Sequence, residues 1–139
     1  APGSGLASLS KRRLNHFGLN FDHTETVRIE TLDQYCESKQ IERIDLLKLD
    51  VEGHELDVLK GGRKMFAQQA IEMVAFEFGG CNIDTRSYFQ DFWYLFQELG
   101  LGFIYRITPT GYLFPIAKYM ENHERFRTTN FVAAQFPLE

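Results

Sequence analysis

From Val27 to Thr31, Val27, Ile29 and Thr31 alternate with Arg28 and Glu30. A period of two predicts a half-buried strand. Thr31 stands three places before Gln34, the spacing of a capping box, which predicts a helix running to about Lys39. Ile44 to Val51 carries apolar residues on both faces and reads as a central parallel strand covered by helices on each side. His54 to Lys60 is helical by content, with Gly61-Gly62 as its end, and Lys64 to Gln69 adds another turn. Ile71 to Phe78 predicts a second buried strand, closed by Gly79-Gly80. Tyr88, Phe89, Phe92, Trp93, Phe96 and Leu99 follow the 3.6-residue period, with Asp84 or Thr85 as the cap and Gly100 as the stop. Phe103 to Ile107 and Tyr112 to Phe114 flank Thr108-Pro109-Thr110-Gly111, a hairpin signal. Asn130 to Phe136 reads as a last strand.

Strands alternating with helices predict an α/β fold with a mostly parallel sheet. The hairpin would add antiparallel pairing at one edge. The first 25 residues have the weakest pattern: Leu6, Leu9 and Leu14 make at most one helical face with Lys11, Arg12 and Arg13 exposed beside it, and Gly18 and Asn20 read as a turn. No linker or repeat divides the 139 residues, so residues 1–139 read as one domain.

Composition narrows the function. The net charge of −4 disfavours a general binder of nucleic acid or of anionic membranes, because phosphate surfaces attract concentrated Lys and Arg. No apolar run approaches the roughly 20 residues that cross a bilayer, and no signal-peptide pattern opens the chain. Two cysteines, Cys36 and Cys81, make no disulfide framework and read as reduced, small buried hydrophobes. The expectation is a cytoplasmic protein.

In an open parallel sheet, ligands sit beyond the carboxyl ends of the strands. Both predicted ends carry acid: Asp50 and Glu52 on one, Glu77 on the other. Asp50 and Glu52 share a face if the strand continues, and Gly53 lets the backbone turn sharply. Carboxylates there can accept a proton from a hydroxyl or hold a polar ligand; equally, they can cap the next helix. Asp50, Glu52, His54 and Glu55 have a metal-like composition without a recognised ligand spacing, so no metal is assigned. No Gly-x-Ser-x-Gly elbow or phosphate-binding glycine loop occurs, and Cys81 has no evident His partner. Arg12, Arg13, Arg86, Arg106, Arg125 and Arg127 are scattered and read mostly as solvated surface. The breadth of the aromatic helix, with Phe89 and Trp93 beside Phe92 and Phe96, hints at a partner surface.

The run Ile44-Asp45-Leu46-Leu47-Lys48-Leu49-Asp50-Val51-Glu52-Gly53-His54-Glu55-Leu56-Asp57-Val58-Leu59-Lys60-Gly61-Gly62, with Thr31-Leu32-Asp33 before it and Glu77 after it, resembles the FkbM-type methyltransferases. The resemblance implies an S-adenosylmethionine-dependent O-methyltransferase on a partial class I, Rossmann-like sheet, acting on a hydroxyl of a sugar, polysaccharide or polyketide-like acceptor. It puts Asp50, Glu52 and Glu77, in that order, as catalytic candidates, and Asp50, Val51 and Glu52 beside the cofactor. The glycine turn that cradles the methionine part of the cofactor in that family, and the acid that holds its ribose, do not occur in these residues. The expectation is therefore the carboxyl-terminal portion of the domain, one wall of the site, inactive by itself. The outer edge of the Ile44–Val51 strand should then be covered by Val27–Thr31, by residues 1–25 or by a second copy of the chain, because a bare apolar edge is an aggregation template. Two other readings stand beside this one: a non-catalytic binding or assembly module, and a metal-dependent hydrolase using Asp50, Glu52 and His54.

Overall fold

A computed structural model of the protein describes residues 7–20 and 23–139. The elements are α1 (Leu32–Lys39), β1 (Ile44–Leu49), α2 (Glu55–Lys60), α3 (Arg63–Ala67), β2 (Ile71–Phe78), α4 (Cys81–Thr85), α5 (Phe89–Glu98), β3 (Phe103–Ile107), β4 (Leu113–Pro115) and β5 (Thr129–Ala134), with short 3₁₀ turns at Asn15–Phe17 and Glu121–His123. No helix among the described residues is long and apolar enough to cross a membrane.

Local chemistry explains most boundaries. The Thr31 hydroxyl accepts the Gln34 N–H, and the Gln34 side chain accepts the Thr31 N–H, so the capping box that starts α1 is formed. Gly100 closes the aromatic helix at φ 80°. The hairpin turn is held by Gly111 N–H to Thr108 O, with Gly111 at φ 83°. At Gly61-Gly62 the reason differs from a left-handed helix end, since Gly61 stays right-handed at φ −75°. A Cβ on Gly62 would lie 2.8 Å from Leu32 Cδ2, so a larger residue there would have to turn the Leu32 side chain of α1 aside.

The sheet order is β1-β2-β5-β3-β4. Only β1 and β2 pair in parallel; β2–β5, β5–β3 and β3–β4 are antiparallel. The pairing is thus mostly antiparallel, not mostly parallel. The cause is β5: β1, β2 and β3 point one way, and β5 is inserted against them between β2 and β3.

The core lies on the face that carries Leu49, Val74, Phe76, Phe78, Phe131 and Ala133. The alternation on β2 places these residues together, with Met73, Ala75 and Glu77 half-buried on the other face. Phe76 sits 5.0 Å, centroid to centroid, from both Phe92 and Phe96 of α5, and 5.5 Å from Phe131. Phe89, Phe92 and Phe96 are fully buried, and Trp93 packs on the same cluster. The breadth of this helix is therefore spent on the core and not on a partner surface. Neither Asp84 nor Thr85 caps α5, because both fall inside α4. Asp91 accepts the Tyr88 N–H, while Glu124 accepts those of Phe89 and Gln90, an acid at the positive end of the helix dipole.

Three further expectations are corrected. Val27–Thr31 forms no strand; Val27 and Ile29 are exposed, since a period-two pattern without a hydrogen-bonded neighbour has nothing to pleat against. β1 is an edge strand and not a central one, with Leu46 54% exposed. No strand among the described residues covers its outer side. The amino-terminal leucines make no helical face: Leu9 is exposed, Leu14 is buried, and Leu6 lies outside the described residues.

Phe76→Ala should lower the unfolding free energy by about 3–5 kcal/mol, the usual cost of emptying a phenylalanine site in a core. Urea unfolding followed by circular dichroism measures it. A loss under about 1 kcal/mol would mean that the cluster around Phe76 is not the packed centre.

Candidate functional site

Parallel pairing brings the carboxyl ends of β1 and β2 side by side. Leu49 is the register partner of Phe76, so Asp50 leaves the sheet next to Glu77. β1 stops at Leu49, and the chain then turns through two left-handed residues, Glu52 at φ 53° and Gly53 at φ 98°. Asp50 and Glu52 therefore do not share a strand face. A Cβ on Gly53 would stand 2.9 Å from the Cys81 carbonyl oxygen, so this turn requires glycine on two counts.

The sequence candidates have distinct surroundings. Asp50 is exposed, and its carboxylate meets Lys48 Nζ at 2.9 Å. Val51 donates its N–H to Glu55 Oε1 at 3.3 Å. Glu52 Oε2 accepts from Arg12 Nη1 at 3.2 Å and from the Cys81 thiol at 2.8 Å. Burial, followed by the charges of Asp50, Glu52 and Glu55, pushes the Glu77 carboxyl above its usual range, with Lys48 opposing. The structure thus gathers Asp50, Glu52 and Glu77 at one end of the sheet. His54 turns away from them: its Nε2 lies 2.8 Å from Ser10 Oγ and its Nδ1 2.8 Å from Asp57 Oδ2. No three acid, His or Cys side chains among the described residues are arranged to hold a metal ion.

Two residues that sequence reasoning did not rank complete the site. Glu55 is 2% exposed. Its Oε1 accepts the N–H groups of Val51 and Gly53, while its Oε2 is buried with no hydrogen-bond partner. An acid two places after a glycine at a strand end is the one signal that could have pointed to it. The scatter of the arginines along the chain predicts a solvated Arg12, yet its side chain is only 12% exposed. Besides Glu52 it meets Asp84, where Nε lies 3.5 Å from Oδ2, an ion-pair distance without hydrogen-bond alignment. Nothing local to Arg12 announces this, since Glu52 is 40 residues away. Arg12 belongs to a strap, residues 8–14, that runs along the β1–α2 turn. Ser8 Oγ donates to Glu52 O at 3.4 Å, the Arg13 N–H donates to Asp84 Oδ1 at 3.3 Å, and Leu14 is buried.

On the other side of that turn a cleft of about 470 Å³ opens between α2–α3 and α4–α5. Gly53, Lys60, Arg63, Arg86, Gln90 and Tyr94 are among its walls. Its volume falls in the range of small-molecule sites.

The family model described as the methyltransferase FkbM domain matches residues 3–105. The chain belongs to this family. The match spans the strap, the Asp50–Glu55 turn and Glu77. A curated relative, the 2-O-methyltransferase NoeI of Sinorhizobium fredii (strain NBRC 101917 / NGR234), is 36% identical over 62 residues, which is 44% of this chain and 26% of that protein. The chain therefore aligns with about a quarter of that relative's length. No solved structure matches the chain.

Burial and the Glu52 carboxylate push the Cys81 thiol up to about 12. The thiolate is the reactive form; at pH 8 it would be roughly one part in ten thousand. Iodoacetamide should label Cys81 at least a hundredfold more slowly than the urea-unfolded chain, and Glu52→Gln should speed labelling several-fold. Peptide-resolved mass spectrometry separates it from buried Cys36. Labelling at the unfolded rate would remove the Glu52–Cys81 contact from the account. The raised value also fixes a sign: the protonated thiol contributes stability below its ordinary 9.0, and that contribution is lost as pH climbs toward about 12.

For Glu77 the raised value means that ionisation costs more in the folded state than in the unfolded one. The cost is absent below the ordinary 4.5 and fully present once pH exceeds the folded value. Glu77→Gln should therefore raise the melting temperature at pH 7.5, and this gain should vanish near pH 3.5. Thermal scans at both pH values decide it; an equal effect at the two would show that packing, not charge, is responsible.

Proposed function

We propose that this chain supplies the carboxylate-bearing wall of an S-adenosylmethionine-dependent O-methyltransferase site. The observation that carries the proposal is the convergence of Asp50, Glu52, Glu55 and Glu77 at the adjoining ends of β1 and β2, in a chain of the FkbM family. The likeness to NoeI, a 2-O-methyltransferase, supports oxygen as the atom methylated. The residues suit a cationic cofactor. Glu77 is crowded by like charges, and Glu55 keeps a buried oxygen unpartnered; a positive group nearby relieves both. When bound, the sulfonium supplies an electrophilic methyl group.

The chain's own residues divide the remaining work. Asp50, Val51 and Glu52 form the cofactor-side turn. Arg12 and Cys81 hold Glu52, which therefore acts as a positioning residue. Glu77 is the better proton acceptor for the attacking hydroxyl: its carboxyl is raised toward the working pH, which improves a general base, and no hydrogen bond occupies its side chain among the described residues. Asp50, paired with Lys48 in the open, stands behind it. A sugar or related polyhydroxylated small molecule is the acceptor that suits this polar surface, and the reading places the protein in the cytoplasm.

In the full-length protein, Glu77→Gln should lower kcat for methyl transfer about 100- to 10,000-fold with KM for the methyl donor little changed. Transfer of labelled methyl to an acceptor, with a pH profile, reads this. A kcat within threefold of the parent would exclude Glu77 as the base. The 139-residue chain titrated with S-adenosylmethionine in a calorimeter shows whether this wall binds the donor unaided.

The assembly reading has its own support in the bare β1 edge, where Leu46 is exposed on a strand with no outer neighbour among the described residues. A homodimer through that edge would sediment at twice the chain mass, and Leu47→Pro would abolish it.

A further inference from the structure

The insertion of β5 brings to the carboxylate end of the sheet a residue that the methyl-transfer reading does not use. β5 runs antiparallel to β2, so its first residues, not its last, lie where β2 ends. Asn130 is the register partner of Glu77. Cross-strand partners point to one face of the sheet, with Cβ atoms about 4.5–5.5 Å apart. Asn130 is exposed and Glu77 half-buried, and neither side chain makes a hydrogen bond among the described residues. The placement is fixed from the side. A Cβ on Gly79 would stand 2.6 Å from Thr128 Cα and 2.8 Å from Thr128 N, so only glycine lets the segment that leads into β5 pass the end of β2. The Gly79 N–H is itself held by Asn82 Oδ1 at 2.8 Å, and Asn82 is buried. Further along the same row stands Ile107 of β3, by the register that sets Arg106 against Phe131, and then its partner Leu113 of β4; both are half-buried. The row thus reads carboxylate, amide, apolar, apolar. Asparagine is depleted in strands, and such departures from local preference belong to functional or strained sites.

We propose that Asn130 is an acceptor-binding residue, whose side-chain amide holds an oxygen on the carbon adjoining the hydroxyl that is methylated. The inference rests on the methyl-transfer reading and narrows its acceptor to a hydroxyl with a neighbouring oxygen, as in a 1,2-diol. The chemistry of the pair divides the work. An ionised carboxylate only accepts hydrogen bonds, so Glu77 takes the hydroxyl that gives up its proton. An amide N–H donates to a lone pair, which the adjoining oxygen supplies. Two side chains abreast on one face reach two oxygens abreast on one carbon skeleton. As the hydroxyl oxygen bonds the methyl carbon, the C–S bond breaks with its electron pair left on sulfur, and the hydroxyl proton passes to Glu77. Asn130 exchanges no proton; it fixes which oxygen faces the base, a gain of orientation. Ile107 and Leu113 offer the apolar surface on which the carbon skeleton rests. Asn130 lies beyond residues 3–105, which match the family model, so the likeness to the family does not supply this role.

The test uses the full-length protein, labelled methyl donor and two probes of one skeleton, cis-1,2-cyclohexanediol and cyclohexanol. The diol should be methylated with a kcat/KM at least tenfold that of cyclohexanol. Asn130→Ala should erase most of that preference, raising KM for the diol tenfold or more and leaving cyclohexanol within threefold. Asn130→Val, a good strand former without an amide, gives the same reading if alanine unsettles β5. A merely structural role would depress both probes alike and leave their ratio unchanged; that result overturns the proposal, as does equal use of the two probes by the parent. A readout without turnover is the side-chain NH₂ signal of Asn130 in the isotope-labelled 139-residue chain. It should shift with the diol and not with cyclohexanol, and an unmoved signal overturns the contact. Glu77→Gln should slow both probes alike. If it slows neither while Asn130→Ala still erases the preference, the base assignment fails and this inference stands; the converse removes this inference alone. Transfer to neither probe overturns the acceptor class, and the titration with S-adenosylmethionine then decides separately whether the methyl-transfer reading survives.

Discussion

The parallel pairing of β1 with β2 is the constraint from which the site follows. Leu49 lies abreast of Phe76, so the chain leaves both strands at the same end of the sheet, with Asp50 beside Glu77. Had the pair been antiparallel, the two acids would stand at opposite ends. The register is fixed by burial. Val74, Phe76 and Phe78 face the core, and Met73, Ala75 and Glu77 alternate with them. A slip of one residue would drive Glu77 among Phe92 and Phe131 and put two phenylalanines outside. The aromatic cluster of α5 and β5 therefore sets the position of carboxylates that it never touches.

The acids at that end are unequally compensated. Lys48 stands against Asp50, Arg12 against Glu52, and the N–H groups of Val51 and Gly53 against one oxygen of Glu55. Glu77 has no such partner, and burial beside these like charges raises its carboxyl above the usual range. Environment thus separates four chemically similar carboxylates into an exposed ion pair, a locked positioning group, a buried turn cap and a residue with a raised proton affinity. Such a difference in surroundings is how a set of like groups acquires different roles.

Much of this was legible where the signal is local. Thr31 and Gln34 marked the start of α1; Ile71–Phe78 read as the strand it is; the aromatic spacing marked α5, and Gly111 the hairpin. The FkbM block also announced the acids. Features that depend on distant partners were not legible. The insertion of β5 between β2 and β3 is a choice of non-local pairing that no period in the sequence records. Val27–Thr31 had the right alternation and found no neighbour among the described residues. Asp84 and Thr85 had the right chemistry to cap α5, but Asp91 and Glu124 satisfy its first N–H groups instead. Arg12 looked like one of several surface arginines until the fold closed the 40 residues between it and Glu52.

The β1–α2 turn is where these threads meet. Glu52 and His54 bind the strap, while Gly53 between them lines the cleft. Glu52 holds a left-handed backbone, which costs a residue with a side chain on the order of 1 kcal/mol or more and persists only when its surroundings over-determine it. Here the surroundings are Arg12 and Cys81 on its carboxylate and Ser8 on its carbonyl. Arg12 consequently has two functions that cannot be separated by charge alone. It neutralises an acid in a crowded cluster, and it holds the turn whose conformation sets Asp50 and Gly53 on their two sides. A lysine at that position would keep the charge but lose the planar fork that reaches Glu52 and Asp84 together. The turn, not the charge balance, is the part of the site that would change first.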